Sequence, residues 1–253
     1  MSDTRDVVYQ SIPGAISVSI DPTPIVLSPP THMAIEDHWN RLMASGKTFT
    51  RGITYTVTSM TQEAGGLRVT VQPTDYAHYL ATVHGVIDRE RCRVIHSTGA
   101  VITANSHVLV GKMASWTAWA GRWQLCGGGL SAEDSDGLHI DLERSLLREL
   151  REELGLTQDD VKAITPLWLK SGGPWNFLVV VYGVWIRATH EEFLQRYTHF
   201  AKATSQQGEL PEFSEVYPVF LDAATIQQWL SLTSRDPMVD YLSGILQRLP
   251  GKA

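Results

Sequence analysis

Residues 148–156 read Arg148-Glu149-Leu150-Arg151-Glu152-Glu153-Leu154-Gly155-Leu156. Just upstream, Leu142, Leu146, Leu150 and Leu154 recur at every fourth position, the spacing that lines one face of an α-helix. The pattern predicts a helix over 140–154. Gly155 ends it, because glycine enters the left-handed conformation of a helix C-terminus without a side-chain clash. On that helix Glu149, Glu152 and Glu153 stand at i, i+3 and i+4 and share one face. Carboxylates so placed repel one another, and the negative end of the helix dipole disfavours them further. Taken alone, the run reads as a solvated charged face. A bound Mg2+ or Mn2+ would organise it instead, since hard divalent ions take carboxylate oxygens. Gly127-Gly128-Gly129 favours the second reading: a glycine-rich turn after a strand lets backbone approach a phosphate or present a carbonyl to a metal.

Working outward, Gly99–Thr103 and Val108–Lys112 read as a hairpin joined by 104–107, with a short strand at Val94–Ile95 before it. A Trp-rich loop (Trp116, Trp119, Trp123) separates them from the glycines, and an acidic loop, AEDSDG, leads into the helix. Downstream, Ile164–Leu169 and Phe177–Arg187 read as strands around SGGPWN. A helix over His190–Ala203, a strand near Val216–Leu221 and helices over Ala223–Leu232 and Asp236–Leu249 follow. On the N-terminal side, Ala15–Ile20 alternates as a strand, and DPTPIVLSPP stops regular structure. Residues 34–44 form an amphipathic helix, and Ile53–Ser59 with Leu67–Val71 form a hairpin about QEAGG. Tyr76–Thr82 is a helical turn or an irregular link. The fold class is α/β (α+β): a mixed sheet with helices on its faces, preceded by a small α+β lobe. The domains expected are 1–92, an accessory lobe, and 93–253.

The chain has 253 residues and a formal net charge of −6, with 43% hydrophobic and 19% charged residues. That composition describes a globular chain. The acidity argues against a nucleic-acid polymer as partner, which needs a basic face, but not against a small anion carried by a metal. Two cysteines, Cys92 and Cys126, exclude a disulfide scaffold or a four-cysteine zinc site, and free buried thiols are expected. The N-terminus shows no secretory signal, and no run reaches the roughly 18 apolar residues of a membrane helix. A cytoplasmic protein without membrane contact is expected. Nine histidines are scattered without ligand spacing.

The stretch 148–156 resembles the second half of the Nudix hydrolase box, G-x5-E-x7-R-E-U-x-E-E-x-G-U with U bulky and aliphatic, at every fixed position. Gly127 and Glu133 match its first half. The spacer from Glu133 to Arg148 holds 14 residues where the box has 7, so the box carries an insertion. Counting back from Arg148 instead puts Ile140 where the family has Glu. AGRWQLCGGG resembles the G-x-W-x-x-P-G-G that precedes the box, with Cys126 in the proline position. The resemblance covers about residues 93–232.

It implies an α/β/α sandwich and a divalent-metal-dependent hydrolase of phosphoric anhydride bonds, with Mg2+ or Mn2+ as cofactor. Glu149, Glu152 and Glu153 would be metal ligands, joined by the carbonyl of Gly127 or Gly128, and Arg148 would orient them by salt bridging. A later-loop carboxylate often assists in this family; Glu209, Glu212 and Glu215 are the candidates, Glu212 first. The N-terminal lobe is similar to that of the UDP-sugar pyrophosphatase group (Trp39; Phe49, Gly52 and Tyr55; Thr74-Asp75-Tyr76). That implies a nucleoside diphosphate sugar, cut to a nucleoside monophosphate and a sugar phosphate. ADP-ribose, a dinucleotide or an isoprenoid diphosphate is the alternative substrate, and a non-catalytic nucleotide-sensing module is the alternative role. Trp116, Trp119 and Trp175 are candidates to stack on substrate and Asn176 to hydrogen-bond it, against the plainer reading that the aromatics are core. Dimers are common in the family, so a homodimer is the assembly the resemblance allows.

Overall fold

The computed structural model describes residues 6–12 and 14–249; the outer ends of the two expected domains, 1–5 and 250–253, lie outside them. In chain order the elements begin with β1 (Val8–Ser11), β2 (Ala15–Ile20) and α1 (Pro29–Ala44). β3 (Ile53–Glu63), β4 (Gly66–Asp75) and α2 (Tyr76–Val83) follow. Next come β5 (Ile95–Ile102), β6 (His107–Met113), β7 (Trp123–Gln124) and β8 (Cys126–Gly129). Then β9 (Ser135–Asp136) and β10 (His139–Ile140) lead into α3 (Leu142–Leu154). The rest are β11 (Val161–Ser171), β12 (Leu178–Ile186), α4 (His190–Gln206), β13 (Phe213–Phe220), α5 (Ala223–Leu232) and α6 (Leu242–Leu246). Strands and helices mix as the α+β expectation requires.

The chain divides into two compact units. The first comprises Met1–Ser97, Gly129–Ser145 and Trp168–Val180. Its sheet runs β3-β4-β2-β10-β9. β3 and β4 form the expected hairpin, longer than the sequence pattern indicated, and β2 lies parallel to β4 with Val18 opposite Val69. Val18, Val69 and Val71 are fully buried on its inner face. α1 lays Ile35 against Ala77 and Ala81 of α2 and against Ile87, with Trp39 packed at the margin. Tyr55 is buried, and Tyr76 stacks on Tyr79 at 5.4 Å.

Two expectations fail in this unit for readable reasons. Helix α1 starts at Pro29, not at residue 34. A proline has no N–H to satisfy and a φ already suited to a first turn, so Pro29-Pro30 opens the helix rather than stopping it. The acidic stretch 132–137 is not simply a loop: it holds a one-turn 3-10 helix and β9, which pairs with β10. β10 in turn pairs His139 with Ser19 and Ile140 with Val18. The edge of β2 supplies main-chain partners, and Ile140 gains burial there, so the box insertion is a hairpin.

The first unit also fixes an acid sensitivity. His78 is buried between Thr74, whose hydroxyl meets Nδ1 at 2.8 Å, and the Glu90 carbonyl, which accepts from Nε2 at 2.7 Å. Desolvation holds it below the ordinary histidine range. His96, stacked on Phe177 at 5.8 Å, is pushed down to about 4 by burial and then by Lys170. A histidine depressed in the fold contributes stability fully above its unfolded value. For His96 that contribution is lost as pH falls from about 6.5 toward 4, at about 1.4 kcal/mol per pH unit, and His78 acts in the same direction. The melting temperature is therefore expected to drop steadily between pH 7 and pH 5, and His96→Gln to flatten that slope. A profile that stays level over the window contradicts the assignment.

The second unit comprises Thr98–Gly128, Leu146–Leu167 and Val181–Ala253. Here β6 pairs antiparallel with β13, Val110 opposite Tyr217, and with β5 through Ile102 and Val108. β7 attaches to β6 and β8 to β5. Leu146 and Leu150 of α3 pack over Gly99 of β5. Both are fully buried, each contributing about 1.5–3 kcal/mol. Trp123 is not in a loop: it is 4% exposed in β7, and its Nε1 donates to Asp236 at 3.0 Å. The helix expected over 236–249 shrinks to α6. Pro237 gives its carbonyl to the Trp123 N–H at 3.0 Å and Val239 donates to the Trp123 carbonyl at 3.1 Å, so that segment follows a strand path. Gly127–Gly129 is likewise strand β8 rather than a turn. Cys92 and Cys126 are free and buried. Among the described residues no helix is long and apolar enough to cross a membrane.

Candidate active site

The site is built on α3. Asp141 caps its start, its Oδ1 accepting from the N–H groups of Glu143 at 2.9 Å and Arg144 at 3.1 Å, which is why the helix begins at Leu142 and not at 140. Gly155 (φ +65°) closes it. The Gly155 N–H donates to Arg151 at 3.1 Å and that of Leu156 to Leu150 at 3.0 Å, satisfying the last carbonyls. Leu142, Leu146, Leu150 and Leu154 are all buried, and this rotates Glu149 and Glu153 inward as well. Glu149 is 8% exposed and Glu153 2%, whereas the Glu152 side chain is 46% exposed.

Strand β8 receives the two buried carboxylates. The Gly127 N–H donates to Glu153 Oε2 at 2.8 Å. Glu149 lies so close to Gly128 that a Cβ built there would stand 2.5 Å from Oε1. Arg148 bridges Glu149 Oε1 at 3.0 Å and Glu152 Oε2 at 2.9 Å. Glycine backbone and helix carboxylates thus meet, through the Gly127 N–H and the close approach at Gly128.

The electrostatics follow from burial. Desolvation pushes the Glu149 carboxyl up to about 7, with Glu212 and Glu152 adding to it and Arg148 opposing. Desolvation also raises Glu153 well above the ordinary carboxylate range, reinforced by Glu149 and Glu212 and opposed by the Gly127 N–H. Glu212 is raised by desolvation and then by Glu152, against Arg148. The residue as a whole is open to solvent. Cys126, beneath them, is raised by burial first and by Glu153 next.

This cluster fits a hard divalent ion by donor type: oxygen ligands, two of them buried, and more negative charge than Arg148 neutralises. Among the described residues, no group of three or more His, Cys, Asp or Glu side chains is already arranged to hold an ion. At Glu149 and Glu152 the positive charge is the Arg148 guanidinium.

The other candidates scatter. The later-loop carboxylates Glu209, Glu212 and Glu215 are all exposed; the Glu212 carboxyl is raised by desolvation and then by Glu152. Glu133 is exposed on the 3-10 turn of the insertion. Trp116 is 39% exposed. Trp119 carries the Arg122 guanidinium over its ring at 4.4 Å. Both lie in the second unit with the carboxylates. Trp175 and Asn176 belong to the first unit. Trp175 stacks on Phe177 at 5.8 Å. The Asn176 side-chain oxygen accepts from the Gly172 N–H at 3.1 Å and its carbonyl from Arg93 Nε at 2.7 Å, so this side chain braces its own loop. Cys126, expected as a free buried thiol, lies against this site; Tyr197, whose phenol is raised by burial and by Glu153, carried no signal in the sequence.

The NUDIX domain family model matches residues 95–239. No curated protein matches the chain. Among solved structures, the chain is similar to DR0079 from Deinococcus radiodurans, at 15% identity and a TM-score of 0.42, over 62% of this chain and 82% of that one. It is similar to the MutT protein from Methanosarcina mazei Go1, at 14% identity and a TM-score of 0.37, over 63% and 94%. It is also similar to the NUDIX domain of Shewanella oneidensis NrtR complexed with ADP ribose, at 14% identity and a TM-score of 0.38, over 71% and 99%. The family match spans more than half of the sequence and includes the buried carboxylates of α3 and the glycine strand they meet, so the chain belongs to the NUDIX domain family and is a hydrolase of diphosphate bonds.

Proposed function

We propose that this protein is a Mg2+- or Mn2+-dependent pyrophosphohydrolase that cleaves a nucleoside diphosphate sugar to a nucleoside monophosphate and a sugar phosphate. The observation that carries the metal-dependent chemistry is the pair of buried carboxylates, Glu149 and Glu153, held against Gly127 and Gly128 with Glu212 in electrostatic reach. Glu149, Glu152 and Glu153 are the residues that would hold the ion, with the Gly127–Gly128 backbone beside them. When bound, a divalent ion supplies charge neutralisation and polarisation at the diphosphate. The chain's own groups do the rest. Arg148 keeps Glu149 and Glu152 oriented, and the Gly127 N–H fixes the Glu153 rotamer. Glu212, its carboxyl raised by desolvation and then by Glu152, takes a proton from the attacking water. Water adds to one phosphorus, the bridging oxygen leaves with the other, and two phosphorylated products result.

The sugar-nucleotide substrate rests on the lobe motifs (Trp39; Phe49, Gly52 and Tyr55; Thr74-Asp75-Tyr76) and on Trp116, Trp119, Trp175 and Asn176 as candidate contacts. The division into an accessory lobe, 1–92, and a hydrolase domain, 93–253, is supported by a family match that starts at residue 95. Two free thiols suit a cytoplasmic setting.

Purified protein with Mg2+ or Mn2+ is expected to consume at least one UDP-sugar from a panel that also holds ADP-ribose, dinucleoside polyphosphates and prenyl diphosphates. Consumption of another panel member in place of UDP-sugars moves the substrate and keeps the chemistry. If every panel member survives intact, the catalytic reading is wrong.

A further inference from the structure

β13 does not run regularly along β6. Phe213 faces Met113, but Glu215 faces Lys112, leaving Ser214 as an extra residue between them. This is a β-bulge, which removes a main-chain group from the ladder and re-aims neighbouring side chains. The Ser214 hydroxyl donates to the Lys112 carbonyl at 3.1 Å. On the other side, the Glu212 carbonyl accepts from the Ala114 N–H at 2.7 Å. The Phe213 carbonyl between these two anchors accepts from the Tyr197 hydroxyl at 2.9 Å, in a buried position.

Tyr197 sits on α4 with its ring held between Phe193, 5.9 Å away, and Phe200, 6.1 Å away. A buried carbonyl left without a partner is strongly disfavoured. The phenol therefore makes this irregular backbone path tenable at the one place where Glu212 joins the sheet. The aromatic packing fixes where the hydroxyl can reach, so the bond is set by α4 and not by β13 itself.

We infer that Tyr197 is a positioning residue: by satisfying the Phe213 carbonyl it holds the bulge that delivers Glu212 to the α3 carboxylates. The inference rests on the reading of Glu212 as an assisting carboxylate. It adds a residue on another helix, with no charge of its own, to the set on which turnover depends.

The test compares Tyr197→Phe, Glu212→Gln and the double variant in the full chain. Tyr197→Phe removes one oxygen and keeps the ring. It is expected to lower kcat by about 10- to 100-fold, as small misplacements of working groups do, with KM within about threefold. Because Tyr197 acts through Glu212, the double variant should be no slower than Glu212→Gln alone. Hydrogen exchange on the metal-free protein gives a readout independent of activity: the Ala114 amide and those of 213–216 should lose protection in Tyr197→Phe while the amides of α3 keep theirs. Losses that multiply in the double variant overturn the inference, as does unchanged protection at Ala114. If the wild type hydrolyses nothing, the function proposed above falls, and the exchange result alone decides whether Tyr197 holds the bulge.

Discussion

Glu153→Gln is expected to lower kcat by about 10²–10³-fold while leaving the metal-free protein at least as stable as the wild type. Both halves follow from the same environment. Glu153 is 2% exposed, accepts from the Gly127 N–H and lies near two further carboxylates, Glu149 and Glu212. A buried carboxylate facing others carries a desolvation cost and like-charge repulsion. Glutamine keeps the shape and the acceptor for Gly127 but removes the charge. The fold loses nothing it needs, whereas a cation bound as proposed would lose a ligand. Glu152→Gln should behave differently in one respect. Its side chain is 46% exposed and paired with Arg148 and Arg151, so activity should fall with little change in melting temperature. Turnover and melting curves with and without Mn2+ decide it: the wild type should melt higher with Mn2+ and Glu153→Gln should show almost no such rise. A Glu153→Gln protein that retains wild-type turnover would remove α3 from the chemistry.

The second large effect is expected at Gly128. An alanine there would place its Cβ 2.5 Å from Glu149 Oε1 and 2.9 Å from the carboxyl carbon. Neither atom has room to yield freely, because Glu149 is buried and tied to Arg148 at 3.0 Å. The carboxylate must swing away, and we expect about a 10²-fold loss of kcat/KM together with a weaker Mn2+ effect on melting. Gly129→Ala is the control: nothing lies within 4 Å of a Cβ at that position, so its kinetics should stay close to wild type. Equal behaviour of the two variants would mean that close approach at Gly128 does not matter.

Much of this arrangement was legible in nine residues. The Leu142–Leu154 repeat specified a helix and its buried face, and the i, i+3, i+4 glutamates specified one acidic surface on it, because side-chain direction on a helix depends only on spacing. Gly155 marked the end for a local reason too. What spacing could not tell was which of the three carboxylates would be buried. The leucine stripe turns Glu149 and Glu153 under and leaves Glu152 outside. Pro29-Pro30 misled because the same residue type both stops one helix and starts another. The insertion misled because a strand of two residues, such as β9, has no periodicity to read.

Local sequence therefore determined helix α3, its charge pattern and its two ends, since these depend on residues within a turn or two of each other. Tertiary structure decided the rest: that β8 is a strand offering an N–H to Glu153, that β10 joins β2, and that the Glu212 main chain joins β6 through the Ala114 N–H. Each of those depends on chain segments 26 to 122 residues apart in number meeting in space, and pairing at such separation is settled by which buried main-chain and side-chain groups can satisfy one another, not by any short pattern.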